Sequence, residues 1–346
     1  MLFPKGFFLL FFVFSCTFLC WQCSEDVSET PDVSDLTVDV EIRRFEQALF
    51  QLSTTSIDAS FERRLAQLQR EYPNFWPVFQ QMLGTSAFDS EDFSTQVYNF
   101  ITHPGVRSLY DTTQLIYKNI EAVEQDLETA FTYYRYYFPK RPVPEVVSYI
   151  SEFGVGTFTY GDSLLGIGWD FFLGEKFPYD YEVFPAYLQK SMSKAHITSK
   201  SIEAVMSNMI EAKDKGQQLL DFMIDNGKIL YIKSKLLPET SHHILLEWTP
   251  EQLTWMENTL NAQELWRQIL KRKLLYSTRQ SDFQKLITAS PSGTSWMPPA
   301  SPGKAANWIG WQIIQAYMER HPETSLEELI RLKEPQKILN AARYRP

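Results

Sequence analysis

The sequence predicts an α+β fold that is predominantly α-helical and contains a small antiparallel sheet. Apolar residues recur at helical spacing through most of residues 41–140 and again through 184–346. Between these sections, residues 143–172 change to short runs of β-branched and aromatic residues bounded by glycine and proline, which is typical of strands. We therefore expect a single domain over 41–346, with the sheet between two helical sections.

Residues 1–23 have the pattern of a signal segment. Lys5 is the only charged residue before Glu25, and a long apolar run follows it. A short basic head followed by an apolar stretch is typical of a secretory signal. The alternative is an uncleaved membrane anchor, because the charge-free run 6–24 reaches the roughly 18 residues that can span a bilayer.

The cysteines favour cleavage and lipid attachment over a spanning anchor. All three lie in this segment, so the remaining chain has no disulfide and no thiol chemistry. Cys16 follows the small residue Ser15. This pair resembles the lipobox, the site at which bacterial lipoproteins are cleaved and acylated, so we expect the lipid to be attached to Cys16. Cys23 is the alternative, because a polar stretch begins just after it.

Cys20 and Cys23 also have the C-x-x-C spacing of redox motifs, but a signal segment lacks the βαβ surroundings that such motifs need.

Residues 24–40 are predicted to form an acidic tether between the membrane and the body. The stretch carries aspartate and glutamate, no basic residue and few large apolar residues. It therefore cannot bury enough surface to offset its ordering entropy.

The whole chain has a formal net charge of -9. This charge argues against nucleic acid as a partner, because nucleic-acid binding depends on clustered lysine and arginine.

The first helical section is predicted to contain five helices. One of them begins after its N-cap Asp58 and ends before residue 72. The other four are 41–52, 75–83, 90–101 and 111–138. In the last of these, Asp111 is a suitable N-cap and the amphipathic pattern continues without a break to Phe138. Pro139 then ends the helix.

Two strands are predicted at 146–150 and 164–169, with a glycine-rich turn between them. Helices are predicted again at 200–213, 217–236, 250–259, 262–273, 305–320 and 326–332. The proline- and glycine-rich loop 290–303 is longer than most loops that only connect two elements, so we expect it to have a function.

The helix 305–320 is apolar around most of its circumference from Asn307 to Met318, which predicts that it is buried. Gly310 lies inside it, where a glycine costs ~1 kcal/mol relative to alanine. We therefore expect another helix or a backbone segment to approach closely at Gly310. Trp308, Trp311 and Tyr317 on the same helix are interpreted as core residues, with a ligand-lining role as the alternative.

No catalytic motif is found in the sequence. The five histidines do not form the His-Glu-x-x-His pattern of zinc peptidases, and no Gly-x-Ser-x-Gly or phosphate-binding glycine loop occurs. The adjacent His242 and His243 cannot share a helix face and are predicted to lie in a surface loop. Glu203 and Glu211 are eight residues apart on one predicted helix; such a pair is either a solvated face or an acid–base pair. We expect no cofactor.

Nine segments, in order along nearly the whole mature chain, share one pattern with a known family. They are 41–50, 72–75, 222–231, 236–238, 248–253, 274–278, 301–303, 307–312 and 316–318. Together these segments resemble the family of the gliding motility lipoprotein GldB of the Bacteroidetes.

This family in turn resembles predicted zinc-dependent peptidases, in which a His-Glu-x-x-His helix follows a strand and a later Glu-Gly supplies the third ligand. Here the corresponding helix 201–210 has no histidine, and the later site reads Asp225-Asn226-Gly227. Oxygen ligands alone suit harder ions than zinc. The resemblance therefore implies a degenerate, zincin-like metallopeptidase scaffold without catalytic residues or a metal. The residues placed in its degenerate cleft are Glu203, Asn208, Asp225, Gly227, Lys228, Trp308, Gly310 and Tyr317.

The resemblance implies a non-catalytic cell-envelope lipoprotein of the gliding motility apparatus that faces the periplasm. It also implies support of the associated protein secretion machinery. The expected partners are the membrane, through the lipid anchor, and other gliding or secretion proteins. Two alternatives are a zinc-independent hydrolase and a ligand-binding lipoprotein, of which the second predicts exposed aromatic side chains on the sheet or on the loop 290–303.

Overall fold

The computed structural model describes residues 30–84, 90–180, 182–210 and 217–346. Residues 32–346 form one compact unit. The predicted signal segment, with Cys16 and Cys23, lies outside the described residues. At the described end of the predicted tether, Val40 is buried and Val38 packs against the core. The tether prediction therefore needs correction at this end, because these valines are already part of the body.

The first helical section contains the helices α1 (Phe45–Phe50), α2 (Ala59–Glu71), α3 (Trp76–Met82), α4 (Ser90–Thr102), α5 (Pro104–Ile116) and α6 (Glu121–Tyr137). Asp58 caps α2, as predicted, by accepting hydrogen bonds from the backbone N–H groups of Ser60 and Phe61. The predicted single helix 111–138 is wrong, since α5 and α6 are separate helices.

The break between α5 and α6 has a local cause that the apolar pattern does not show. The ring of Tyr117 is fully buried and stacks on Trp169 at a centroid distance of 4.3 Å. Its hydroxyl donates to the backbone carbonyl of Phe172. Asn119 then accepts a hydrogen bond from the backbone N–H of Glu121 at 2.9 Å, which starts the next helix.

The sheet has four strands, β1 (Ile42–Arg44), β2 (Glu145–Tyr149), β3 (Thr157–Tyr160) and β4 (Leu164–Gly168). Their order in the sheet is β1-β2-β4-β3. β2 pairs in parallel with both β1 and β4, and only β3 is antiparallel to β4. The predicted antiparallel sheet is therefore wrong in its pairing. Two additional strands make the sheet mixed. β1, from the start of the body, runs parallel to β2, and β3, which lies between the two predicted strands in the sequence, runs antiparallel to β4.

The second helical section begins after a 3₁₀ turn at Trp169–Phe172. It contains α7 (Ala186–Gln189), α8 (Ile197–Ile210), α9 (Leu219–Leu236), α10 (His242–Leu246), α11 (Pro250–Glu257), α12 (Thr259–Lys271), α13 (Gln280–Ile287), α14 (Ala305–Arg320), α15 (Leu326–Arg331) and α16 (Pro335–Ala342). The predicted loop around the two histidines is wrong, because His242 and His243 begin α10. This short helix lies against α14, where the ring of His242 contacts Trp311 at a centroid distance of 4.8 Å.

Helix α8 packs against the sheet, and α9 and α14 follow behind it. α8 contacts β3 and β4, α9 packs on α8, and α14 packs on α9. A Cβ atom on Gly310 would lie 1.8 Å from the carbonyl oxygen of Met223 on α9, so the expected close approach of another helix is confirmed. The described fold is thus α+β and mostly helical, as predicted.

Candidate functional site

A groove with a volume of about 420 Å³ lies between strand β3 and helix α8. Its wall on the β3 side consists of Thr157, Phe158 and Thr159. On the α8 side it is lined by Lys200, Glu203, Ala204, Ser207 and Asn208. These five positions have the i, i+3, i+4, i+7 and i+8 spacing of one helix face. The groove therefore follows the sheet edge on one side and a single face of α8 on the other.

Glu203 in the groove forms an ion pair with a buried lysine of α9. The Nζ atom of Lys233 lies 2.6 Å from the Oε2 atom of Glu203 and 3.0 Å from the backbone carbonyl of Leu245. The side chain of Lys233 is 0% exposed, whereas that of Glu203 is 38% exposed. Burial opposes ionisation of Glu203, but the charge of Lys233 lowers the pKa of this carboxyl. Glu203 is thus an ionised carboxylate whose negative charge is balanced by the positive charge of Lys233.

A second ion cluster continues behind the groove. Glu247 accepts from Lys200 at 2.9 Å and from Lys304 at 3.1 Å, one lysine at each carboxylate oxygen. Burial would raise the pKa of Glu247, but Lys304 and Lys200 hold it well below its usual range. Likewise, burial would lower the pKa of Lys304, but Glu247 raises it. Together with the Glu203–Lys233 pair, these residues form a cluster of five opposed charges.

Two members of the cluster have an uncommon backbone conformation. Glu247 has φ 57° at the carboxyl end of α10, and Lys304 has φ 60° at the amino end of α14. Residues other than glycine adopt such angles rarely and at some cost in energy. The ion pair between their side chains fixes both helix ends relative to each other.

A second cavity, of about 310 Å³, adjoins the cluster on the side of the loop 290–303. Glu247 and Lys304 line it together with Lys190, and the predicted functional loop contributes Ser290 and Gly303. Trp248 ties this loop to the body, since its indole N–H donates to the carbonyl of Gly303 at 2.9 Å.

The structure separates the eight residues predicted for the cleft into three places. Only Glu203 and Asn208 line the groove. The side-chain amide of Asn208 donates to the carbonyl of Gly161 at 3.2 Å and to Asp162 at 3.1 Å, and so holds the turn between β3 and β4. Glu211, the other predicted carboxylate of this helix, lies outside the described residues.

The predicted residues of α9 have structural contacts. Lys228 is 2% exposed and its Nζ atom lies 3.4 Å from Asp225 and 2.5 Å from the carbonyl of Leu332. Gly227 faces α14, where a Cβ atom on it would lie 2.4 Å from the carbonyl carbon of Gly310. These residues hold α9 to its neighbours.

The predicted aromatic residues of α14 lie in neither ion cluster. Trp308 lines a different cavity, of about 450 Å³, which it shares with Trp311 and Tyr344. Tyr317 is half-buried and packs against the ring of His321 at a centroid distance of 4.6 Å. The structure therefore does not place Trp308 or Tyr317 at the groove.

Sequence reasoning missed the basic residues Lys200, Lys233 and Lys304 and their partner Glu247. For Lys233 a signal exists, because it lies on α9 beside Ile229, Leu230 and other apolar residues. A lysine on an apolar helix face is almost never fully buried unless it is paired, so it predicts a carboxylate partner on a neighbouring helix. No such signal exists for Glu247 and Lys304, which lie at helix ends far apart in the sequence.

The donor groups near the groove do not fit a zinc ion. Zinc sites use histidine, cysteine and carboxylate ligands in tetrahedral sets. Within the part of the chain that the structure describes, no group of three or more such residues could hold a metal. His196 precedes α8 and lies 3.0 Å from Ser193 through its Nδ1 atom, and burial lowers its pKa to about 4. The one carboxylate of the groove, Glu203, is occupied by Lys233.

Comparison with known proteins identifies the family. The described helices include none that is both long and apolar enough to cross a membrane. No curated protein and no solved structure matches the chain. The sequence profile of the gliding motility protein GldB, however, matches residues 26–346, which is nearly the whole chain and all of the compact unit. The chain therefore belongs to the family of the gliding motility protein GldB.

Proposed function

We propose that this protein is a non-catalytic, lipid-anchored envelope component of the gliding motility apparatus that faces the periplasm and supports the associated secretion machinery. Membership of the GldB family implies the role in gliding motility. The lipid anchor rests on the lipobox-like Ser15-Cys16 pair and on the apolar segment around it. Its partners are the membrane, through this anchor, and other proteins of the motility and secretion machinery.

The observation that carries the non-catalytic part of the proposal is the ion pair between Glu203 and Lys233. A catalytic carboxylate that removes a proton from water needs a pKa near the working pH and a free oxygen aimed at the water. The Lys233 ammonium group, 2.6 Å away, lowers the pKa of Glu203 and occupies one of its oxygens. Both effects make Glu203 a weak base. The pair instead stabilises the packing of α9 on α8.

A complementation experiment tests this proposal. A gliding strain without its own copy of the gene is supplied with the wild type or with Glu203→Gln, and spreading of single cells is measured. Glutamine keeps an acceptor for Lys233 but cannot act as a base, so we expect gliding at the wild-type level. Glu251→Gln, at an exposed position on α11, is the matched control.

The measurement includes an immunoblot for the amount of each variant and its melting temperature. Loss of gliding with Glu203→Gln, at wild-type amount and melting temperature, would show that the carboxylate is chemically active. The proposal of a non-catalytic component would then be wrong.

A further inference from the structure

The two edges of the sheet differ in how their backbone groups are satisfied. At the β1 edge, the backbone N–H of Ile42 donates to Glu124 at 2.9 Å, and that of Val40 donates to Glu128 at 3.3 Å. Both carboxylates come from α6, which therefore covers this edge. An exposed edge is a template for pairing with another chain, and proteins usually block it in such a way.

The opposite edge, β3, is not covered in this way. The backbone N–H of Gly168 donates to the carbonyl of Gly156 at 2.8 Å. Thr157 is opposite Ile167 in the β3–β4 register, so continuing the register by one residue puts Gly156 opposite Gly168. Hydrogen-bonded and non-hydrogen-bonded pairs alternate in an antiparallel ladder. The backbone groups of Phe158 therefore point to β4, whereas those of Thr157 and Thr159 point away from the sheet.

Thr157 and Thr159, which carry these outward backbone groups, border the groove. Among the described residues, no hydrogen bond reaches the outward N–H or C=O group of either threonine. The side-chain hydroxyl of Thr157 donates to the carbonyl of Lys200 at 3.3 Å, which fixes the strand beside α8. The β3 edge thus presents free backbone donors and acceptors beside the groove and α8.

The α8 side of the groove is polar but nearly neutral. Lys200 is paired with Glu247, and Glu203 is paired with Lys233. The remaining polar groups are the hydroxyl of Ser207 and the side-chain carbonyl of Asn208, whose NH₂ group already donates to Gly161 and Asp162. Such a surface accepts small or uncharged polar side chains and does not select for a highly charged ligand.

We propose that the β3 edge binds an extended peptide segment of a partner protein, which adds a fifth strand to the sheet above α8. Outward groups recur every second residue along a strand, at a spacing of about 6.8 Å, and another extended backbone has the matching spacing. β3 is four residues long, so the bound segment pairs over about four residues. Alternate side chains of the segment point toward Ser207 and Asn208. This proposal goes beyond the proposed function, because it holds whether or not Glu203 has a chemical role.

The protein side of the proposal is tested with a display library of random eight-residue peptides, selected on the purified full-length chain. The affinities of the selected peptides are then measured for Thr159→Pro and Thr159→Val. Proline removes the outward N–H at an edge position that tolerates it. Valine keeps that N–H and the branched shape, and is the matched control. We expect at least tenfold weaker binding to Thr159→Pro and a change of less than threefold for Thr159→Val.

The peptide side is tested by methylating one backbone nitrogen at a time in a selected peptide. A peptide that pairs as a strand loses binding at every second position only, because the nitrogens between them point away from β3. This measurement uses the wild-type protein and decides the question even when Thr159→Pro lowers the melting temperature. The proposal is wrong when the library yields no binder, when Thr159→Pro binds as well as the wild type, or when methylation has no alternating effect.

Discussion

His196 shows how the surroundings of one residue determine its protonation. The residue is 6% exposed at the start of α8. Burial disfavours its charged form and lowers its pKa to about 4; Glu247 opposes this shift, whereas Lys200 and Lys233 add to it. The neutral imidazole is therefore part of the folded state at neutral pH.

This pKa predicts a pH dependence of stability that one substitution removes. In the unfolded chain a histidine titrates near pH 6.5, so between pH 6.5 and 4 the unfolded state binds more protons than the folded state. Stability therefore falls as the pH is lowered through this window, by roughly 2 kcal/mol between pH 6.5 and 4.5 for this group. His196→Gln is expected to lose that part of the slope. Urea unfolding at several pH values measures it.

The exposed His103 provides the control for this measurement. His103→Gln makes the same replacement at a histidine that is not buried, and so controls for the substitution itself. Equal slopes for His196→Gln and the wild type would contradict the predicted effect of burial at His196.

At the residue scale, the sequence indicated helix positions better than it indicated partners. Glu203 was singled out and does line the groove. Its partner Lys233 was not, because the contact depends on how α9 crosses α8. The Lys200–Glu247–Lys304 cluster joins three separate segments. Periodicity describes one helix at a time and carries no information on which charged ends meet.

At the element scale, the sequence predicts most of the long helices, but it does not predict the break within 111–138 or the short strands β1 and β3. α14 has the predicted bounds 305–320, because its apolar residues and the glycine-containing turn before it define both ends. β1 has three residues, and Ile42 fits a helix face with Phe45 as well as it fits a strand. The sequence around β3 favours a turn, since Gly154, Gly156 and Gly161 surround it. Without β1 and β3, the sequence predicts only the strands near β2 and β4, and these two are predicted to pair in an antiparallel sheet.

The contact between α9 and α14 depends on two glycines. Gly227 and Gly310 let the two backbones approach so closely that a Cβ atom on Gly310 would lie 1.8 Å from the carbonyl oxygen of Met223. That atom belongs to the backbone and cannot move aside as a flexible side chain would. This close packing explains why α14 contains glycine despite its cost of ~1 kcal/mol relative to alanine.

Gly310→Leu is therefore expected to push α9 and α14 apart. Overpacking of this kind costs about 1–3 kcal/mol, and more where the backbone must shift. Denaturant unfolding of the purified protein measures the loss. Glu319→Leu, at an exposed position of the same helix, introduces the same side chain and should change stability by less than about 0.5 kcal/mol. A wild-type melting temperature for Gly310→Leu would contradict the described contact.

At the scale of the whole molecule, the body provides two different kinds of surface. One sheet edge is covered by α6, while the other borders the groove above α8. The ion cluster behind the groove joins α8, α9 and the amino end of α14. The sequence predicts the two helical sections but not this asymmetry, because the asymmetry follows from the position of β1 and β3 at the two ends of the strand order.

The attachment of this body to a membrane is the last expectation, and it concerns the chain as a whole. The lipid expected at Cys16, after the small residue Ser15, is the proposed anchor of the protein. One acyl chain holds a protein only weakly, but the several chains of a lipoprotein hold it firmly.

We expect Cys16→Ser to abolish labelling by a fatty-acid analogue and to move the mature protein out of the membrane fraction. Cys20→Ser is the matched control and should stay membrane-bound and labelled. Loss of labelling with Cys23→Ser, together with normal labelling of Cys16→Ser, would move the anchor to Cys23, whereas an unlabelled and uncleaved wild-type chain would contradict the lipoprotein proposal itself.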